Sequence, residues 1–234
     1  MTNHLDLNRS FLYGDGFFET FKLIHGTCER FHLHYQRLLK SLKLLQMDWN
    51  PLWTQGYFEA LLIEESKKHK ESILKVRLII YRNSSGTYLP SSNEANYYLK
   101  SEPYMASTSL TLRAGIYPLV QKPCNFLSEL KSTSCLPFVM AAQYMKAQGW
   151  DEIIILNQYG RICEALTSNI FLELNGKFIT PLLSEGCIDG VNRKAFLLSN
   201  PNIIEQPITV DYLKSHNLYF SNAVRGLVEG SFVI

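Results

Sequence analysis

The sequence has no closely spaced cysteine pair. Its five cysteines, Cys28, Cys124, Cys135, Cys163 and Cys187, are odd in number and far apart, which argues against a disulfide framework or a zinc site. There is no apolar run of membrane-spanning length. Met1 to Arg9 is polar, unlike the apolar centre of a signal peptide, so a reducing cytoplasm is the expected location and no membrane association is expected. Charge of one sign is not in excess either: 23 basic against 21 acidic residues leave a net +2. That balance gives no reason to expect nucleic acid as a partner, although a basic pocket for a small anion needs few charges. The generic phosphate-loop, dinucleotide, zinc-protease and nucleophile-elbow motifs are all missing. His32 and His34 lie close together but without a Cys or carboxylate cluster. They read as surface or structural residues, and no metal is expected.

What is present fits a globular protein. The chain has 234 residues, 46% hydrophobic and 19% charged, enough for one large or two smaller domains. Leu38, Leu42 and Leu45 recur at helical spacing and predict a helix over about Leu33 to Met47. Pro51 is expected to open a second helix carrying Trp53, Tyr57 and Leu61. Strands are expected near Ile73 to Tyr81 and Ala95 to Lys100, separated by the Asn83-Ser84-Ser85-Gly86 break. The pattern weakens over Ser101 to Ser109, which places a domain boundary there, between 1–104 and 105–234. The second part reads as a strand at Leu110 to Tyr117, then a loop to Lys131. A helix from Pro137 to Gln148 follows, stopped by Gly149, then a strand at Glu152 to Leu156. Asn175-Gly176 predicts a hairpin between Asn169 to Leu174 and Lys177 to Thr180. Gly190-Val191-Asn192-Arg193 opens a short helix.

One dispersed set of residues stands out. It runs Gly14-Asp15-Gly16-x-Phe18-Glu19-Thr20, His34-x-x-Arg37-Leu38, Lys131, Asp151-Glu152, Glu164, Ser168-Asn169-x-Phe171, Thr180-Pro181 and Gly190-x-x-Arg193. Each piece is weak alone. In this order they resemble the fold-type IV pyridoxal-phosphate enzymes, which include branched-chain and D-amino-acid aminotransferases and aminodeoxychorismate lyases. The resemblance spans about Arg9 to Gly226. It implies an α+β, D-amino-acid aminotransferase-like architecture with a small N-terminal domain and a larger, strand-rich, cofactor-binding C-terminal one. It also implies pyridoxal 5'-phosphate, a small amino-acid-like substrate and a homodimer.

The same resemblance assigns roles. Lys131 holds the cofactor's aldehyde and acts as acid and base; read alone it would be a surface lysine. Glu164 faces the ring nitrogen, where opposite charge favours the protonated form. Arg37, the amides around Val191 and Asn192 at a helix N-terminus, and more weakly Asn222 take the phosphate. Arg77 and Arg82 are candidates for gripping substrate carboxylates. Leu136 stands where branched-chain aminotransferases carry tyrosine, and Thr20 where the lyases carry a hydroxyl able to relay a proton. This favours a lyase that converts 4-amino-4-deoxychorismate to 4-aminobenzoate and pyruvate. An aminotransferase for branched-chain or D-amino acids and a non-catalytic homologue stay open. The chain ends at Ile234, soon after Gly226, so a partner subunit is expected to help close the pocket.

Overall fold

A computed structural model describes residues 8–105 and 111–233 of the chain. Met1 to Leu7, Ala106 to Leu110 and Ile234 lie outside the described residues, and with them part of the expected boundary stretch and the start of the strand expected from Leu110. The protein is α+β and forms two compact units, Met1–Met105 with Leu130–Cys135, and Ala106–Glu129 with Leu136–Ile234.

The first unit begins with the short helix α1 (Arg9–Tyr13), capped by the Asn8 side chain, which accepts from the Phe11 amide at 3.1 Å. Strand β1 (Gly16–Ile24) follows, then helices α2 (Phe31–Leu44) and α3 (Gln55–Ser66), and strands β2 (Ile73–Arg82) and β3 (Ala95–Pro103). The strands make an antiparallel sheet in the order β1-β2-β3. In β1, Phe17, Glu19, Phe21 and Leu23 point inward at a period of two. Phe17, Phe21 and Leu23 pack with Leu38 and Leu42 of α2 and Phe58 of α3 in one core. The sequence reading assigned no strand to β1. Pro51 does not open α3. The helix starts at Gln55, where the Thr54 hydroxyl accepts from the Tyr57 amide at 3.2 Å and supplies the cap. Trp53 joins the core ahead of that helix.

Leu130–Cys135 belongs to this unit because it pairs with β1. The Phe18 amide donates to the Lys131 carbonyl at 2.9 Å, and the Thr133 amide to the Gly16 carbonyl at 3.0 Å. An edge strand has unpaired amides and carbonyls to offer, and this segment takes them.

The second unit contains β4 (Thr111–Ile116), α4 (Leu136–Gln148), β5 (Glu152–Leu156), β6 (Ile162–Ala165), β7 (Asn169–Leu174), β8 (Lys177–Thr180), α5 (Val191–Ser199), β9 (Ile204–Glu205), β10 (Asn217–Asn222) and β11 (Gly226–Phe232). Its strands form one mixed sheet in the order β6-β5-β4-β11-β10-β7-β8-β9. The β7–β8 hairpin turns at Asn175 and Gly176, both with positive φ (53° and 78°), as the Asn-Gly pair predicts. Strand β6 is buried along its whole length, and it carries Glu164.

Candidate active site

The residues singled out in the sequence divide between the two units. In the first, Glu19 sits on the inward face of β1 and is 1% exposed. Its Oε1 accepts from Arg37 Nε at 2.7 Å and its Oε2 from a terminal Arg37 nitrogen at 2.6 Å. His34 Nδ1 lies 2.6 Å from the same Oε2. A carboxylate only accepts, so Nδ1 carries the hydrogen. His34 and Arg37 are one helical turn apart on α2 and so present to the same carboxylate. Burial alone would raise the Glu19 carboxyl, but the Arg37 guanidinium overrides it, with help from His34, and holds it down to about 2. Burial pushes His34 below its ordinary value despite Glu19. The expected structural role of His34 is therefore specific: it helps hold the buried anion that orients Arg37. His32 is exposed.

The opposite face of β1 carries Phe18 and Thr20. Thr20 is the register partner of Arg77 on β2. The Arg77 guanidinium lies over the Phe18 ring at 4.4 Å from its centre, and Lys131 Nζ lies over the same ring at 4.7 Å. Lys131 and Arg77 thus share one aromatic ring, which the sequence reading had given no role, and Thr20 lies two residues from Phe18 on the same face of the strand. Arg82 is placed differently from Arg77. It points to the other face of β2 and is buried. Its guanidinium donates to Asp15 at 3.0 Å, to Asn93 Oδ1 at 2.5 Å and to the Leu45 carbonyl at 2.7 Å. Asp15 also accepts from the buried Arg9 at 2.8 Å. Arg82 braces a turn, and because successive residues of a strand face opposite ways, the five positions between Arg77 and Arg82 put the two on opposite faces of β2.

In the second unit Glu164 is 2% exposed. Lys122 Nζ donates to its Oε1 and the Ile188 amide to its Oε2, the latter at 3.0 Å. Helix α5 starts at Val191 with Gly190 as its cap residue, and no side chain caps it by a hydrogen bond. A Cβ on Gly190 would fall 1.8 Å from Asn169 Oδ1, so the close approach of Asn169 requires glycine there. Asn169 in turn donates to the Ile188 carbonyl at 2.9 Å. Val191 is buried, and Asn192 donates to Ser221 Oγ at 2.7 Å, which ties the start of α5 to the end of β10. Asn222 shapes the next loop: its Oδ1 accepts from the amides of Val224 and Arg225 at 3.0 and 2.8 Å. Arg193 supports the turn, donating to the Pro181 carbonyl at 2.8 Å.

Two groups escaped the sequence reading. Lys122 sits in a loop with no periodic pattern. Arg225 donates to Glu152 at 2.6 Å and to Thr167 and Ser168 at 2.8 and 3.0 Å, from strands remote in sequence. Among the described residues, no group of three or more His, Cys, Asp or Glu side chains could hold a metal ion, and no helix is long and apolar enough to cross a membrane.

A family described as class IV amino-transferase matches residues 16–231. An aminodeoxychorismate lyase of Bacillus subtilis is 28% identical over 207 residues, which is 82% of this chain and 67% of that protein. A probable branched-chain-amino-acid aminotransferase of Synechocystis is 25% identical over 178 residues, 74% of this chain, and the match spans only 57% of that relative's length. The crystal structure of a putative 4-amino-4-deoxychorismate lyase of Legionella pneumophila superposes with a TM-score of 0.88 at 20% identity, covering 97% of this chain and 85% of that one. With the family match running through nearly all of the described residues and the fold shared, the chain belongs to the class IV aminotransferases, the pyridoxal-phosphate-dependent enzymes of fold type IV.

Proposed function

We propose that this chain binds pyridoxal 5'-phosphate and is a lyase acting on 4-amino-4-deoxychorismate to give 4-aminobenzoate and pyruvate. The residues suit the cofactor. A lysine amine stands over Phe18, a buried carboxylate is available at Glu164, and a helix start lacks a side-chain cap at Gly190. Helix starts of this kind bind phosphate groups through their amides. Arg37, already aimed by Glu19, Val191, Asn192 and Asn222 complete the proposed anion-binding set. When bound, pyridoxal phosphate withdraws electrons from the substrate carbon beside the amine.

Lys131 holds the cofactor's aldehyde carbon and moves the proton at the substrate α-carbon. Glu164 holds the proton at the ring nitrogen. Thr20 donates a proton where the leaving pyruvate needs one, a contribution worth about 10²–10⁴ in rate for a placed acid–base group. Arg77 receives a substrate carboxylate.

The observation that carries the lyase reading is the pair of cations, Arg77 and Lys131, over the Phe18 ring, with Thr20 the register partner of Arg77. A second cation on the ring that the lysine shares, with a threonine on the same strand face, suits an acidic substrate and an elimination. Leu136, where branched-chain aminotransferases carry tyrosine, points the same way. The names of the relatives divide between lyase and branched-chain aminotransferase, so the test is direct competition. Purified protein loaded with cofactor is assayed for 4-aminobenzoate from aminodeoxychorismate, and for transfer from leucine or D-alanine to 2-oxoglutarate. Faster 4-aminobenzoate formation is expected. Good turnover of leucine with aminodeoxychorismate ignored would establish the aminotransferase, and a colourless protein that takes up no cofactor would establish a non-catalytic homologue. The active form is proposed to be a cytoplasmic homodimer, which light scattering should report at twice the chain mass.

A further inference from the structure

Lys122 has no part in the sequence pattern, yet its backbone and side chain are both fixed in place. Its amide donates to the Leu156 carbonyl at 2.9 Å and its carbonyl accepts from the Gln158 amide at 3.0 Å, which pins the loop to the end of β5. The side chain is 12% exposed and the partner Glu164 side chain 3%. Nζ donates both to Glu164 Oε1 and to the Ser128 carbonyl, the latter at 3.0 Å. Ser128 is itself held by its hydroxyl on the Pro123 carbonyl at 2.7 Å. Nζ also lies 5.6 Å from the centre of the Phe138 ring.

A lone carboxylate this deeply buried would take up a proton rather than stay charged. Two donors oppose that here, the Lys122 ammonium and the Ile188 amide. Burial works against the Lys122 charge, but Glu164 outweighs it and keeps the ammonium protonated. The other titratable groups around this pair are Cys163, Cys187 and Cys124, all thiols pushed up by burial, Cys187 to about 12, with Asp189 and Arg193 beyond Cys187 and Glu185 and Arg161 beyond Cys124. A carboxylate has about four acceptor positions. The two donors use one on each oxygen, and room for a further donor is left.

We propose that Lys122 is a positioning residue that keeps Glu164 ionised, so that the proton shared between Glu164 and the cofactor's ring nitrogen stays on the nitrogen. The inference rests on the reading of Glu164 as the ring-nitrogen partner. Its physics is simple. A proton between two bases sits on the stronger one, and a cation beside the carboxylate makes the carboxylate the weaker base.

The test has two arms, on wild type and on Lys122→Met and Lys122→Arg, with Lys122→Gln as a second neutral variant should the methionine fail to fold. In cofactor-free protein, the carboxyl carbon of ¹³C-labelled glutamate is followed by NMR against pH. Glu164 is assigned by its loss in Glu164→Gln. The neutral variants should titrate Glu164 at least tenfold higher in proton affinity than wild type, and Lys122→Arg should restore the wild-type value. In the loaded protein, the ¹⁵N shift of ring-labelled cofactor should move from the protonated toward the neutral pyridine range in the neutral variants only. An unchanged Glu164 titration overturns the role of Lys122. A moved titration with an unmoved ¹⁵N shift overturns instead the assignment of Glu164 to the ring nitrogen, and the proposal with it.

Discussion

Glu19 and Arg37 are joined by two hydrogen bonds, 2.7 and 2.6 Å long, between the inward face of β1 and one side of α2. A two-pronged contact of this kind fixes the plane of the guanidinium as well as its position. Arg37 is oriented before any ligand arrives, and a change at Glu19 reaches it directly.

That pair also sets an acid limit on stability. The Glu19 carboxyl is held at about 2 in the folded chain against an ordinary 4.5. Its contribution is complete above about 4.5 and is lost as pH falls through about 2, a loss of about 3 kcal/mol. His34, held below its ordinary 6.5, adds a loss in the same direction, because its stability is present above 6.5 and declines as acid forces a proton onto a buried ring. Glu19→Gln leaves a buried guanidinium short of its counter-charge and should cost about 3–5 kcal/mol at pH 7. Urea unfolding of both proteins at pH 7, 4.5 and 3 checks this: the gap between them should narrow toward pH 3.

Gly190→Ala places a methyl 1.8 Å from Asn169 Oδ1. Gly190 has an ordinary φ of −69°, so the cost is steric, about 1–3 kcal/mol for an overpacked site. Cofactor affinity should weaken as the start of α5 shifts. Adding Asn169→Ala to Gly190→Ala should recover most of the lost stability in a thermal melt; no recovery would place the conflict elsewhere.

Arg77 and Arg82 lie on one strand but should behave oppositely. Arg77→Ala removes an exposed cation and should raise KM for an acidic substrate about tenfold or more, with little change in melting temperature. Arg82→Ala leaves Asp15 with one partner fewer and should cost about 3–5 kcal/mol in stability, with KM of the surviving fold near wild type. Steady-state kinetics alongside thermal melts separate the two.

Lys131→Ala should abolish turnover and the covalent adduct that borohydride fixes between cofactor and protein. Peptide mass spectrometry reads the attachment point. Fixation at a different lysine in the variant would remove Lys131 from its proposed role.

The sequence alone determined the family, because the chemistry-bearing residues keep their order and spacing along the chain. It also determined the elements whose signal is local: the long leucine-spaced helix, the Asn175-Gly176 hairpin and the helix that ends at Gly149. Local torsion preferences and side-chain periodicity act over a few residues and need no partner to be read. Only the tertiary structure decided which charges are paired. Arg77 and Arg82 look alike in sequence, and strand pleating alone sends one to the face of Phe18 and the other into a turn with Asp15 and Asn93. Glu164 meets Lys122 across 42 positions, and Glu152 meets Arg225 across 73. Such pairs form because burial makes an unpartnered charge costly. The partner that folding supplies comes from whichever segment the fold brings alongside, here a loop and a turn, and that adjacency is a property of the fold rather than of the chain.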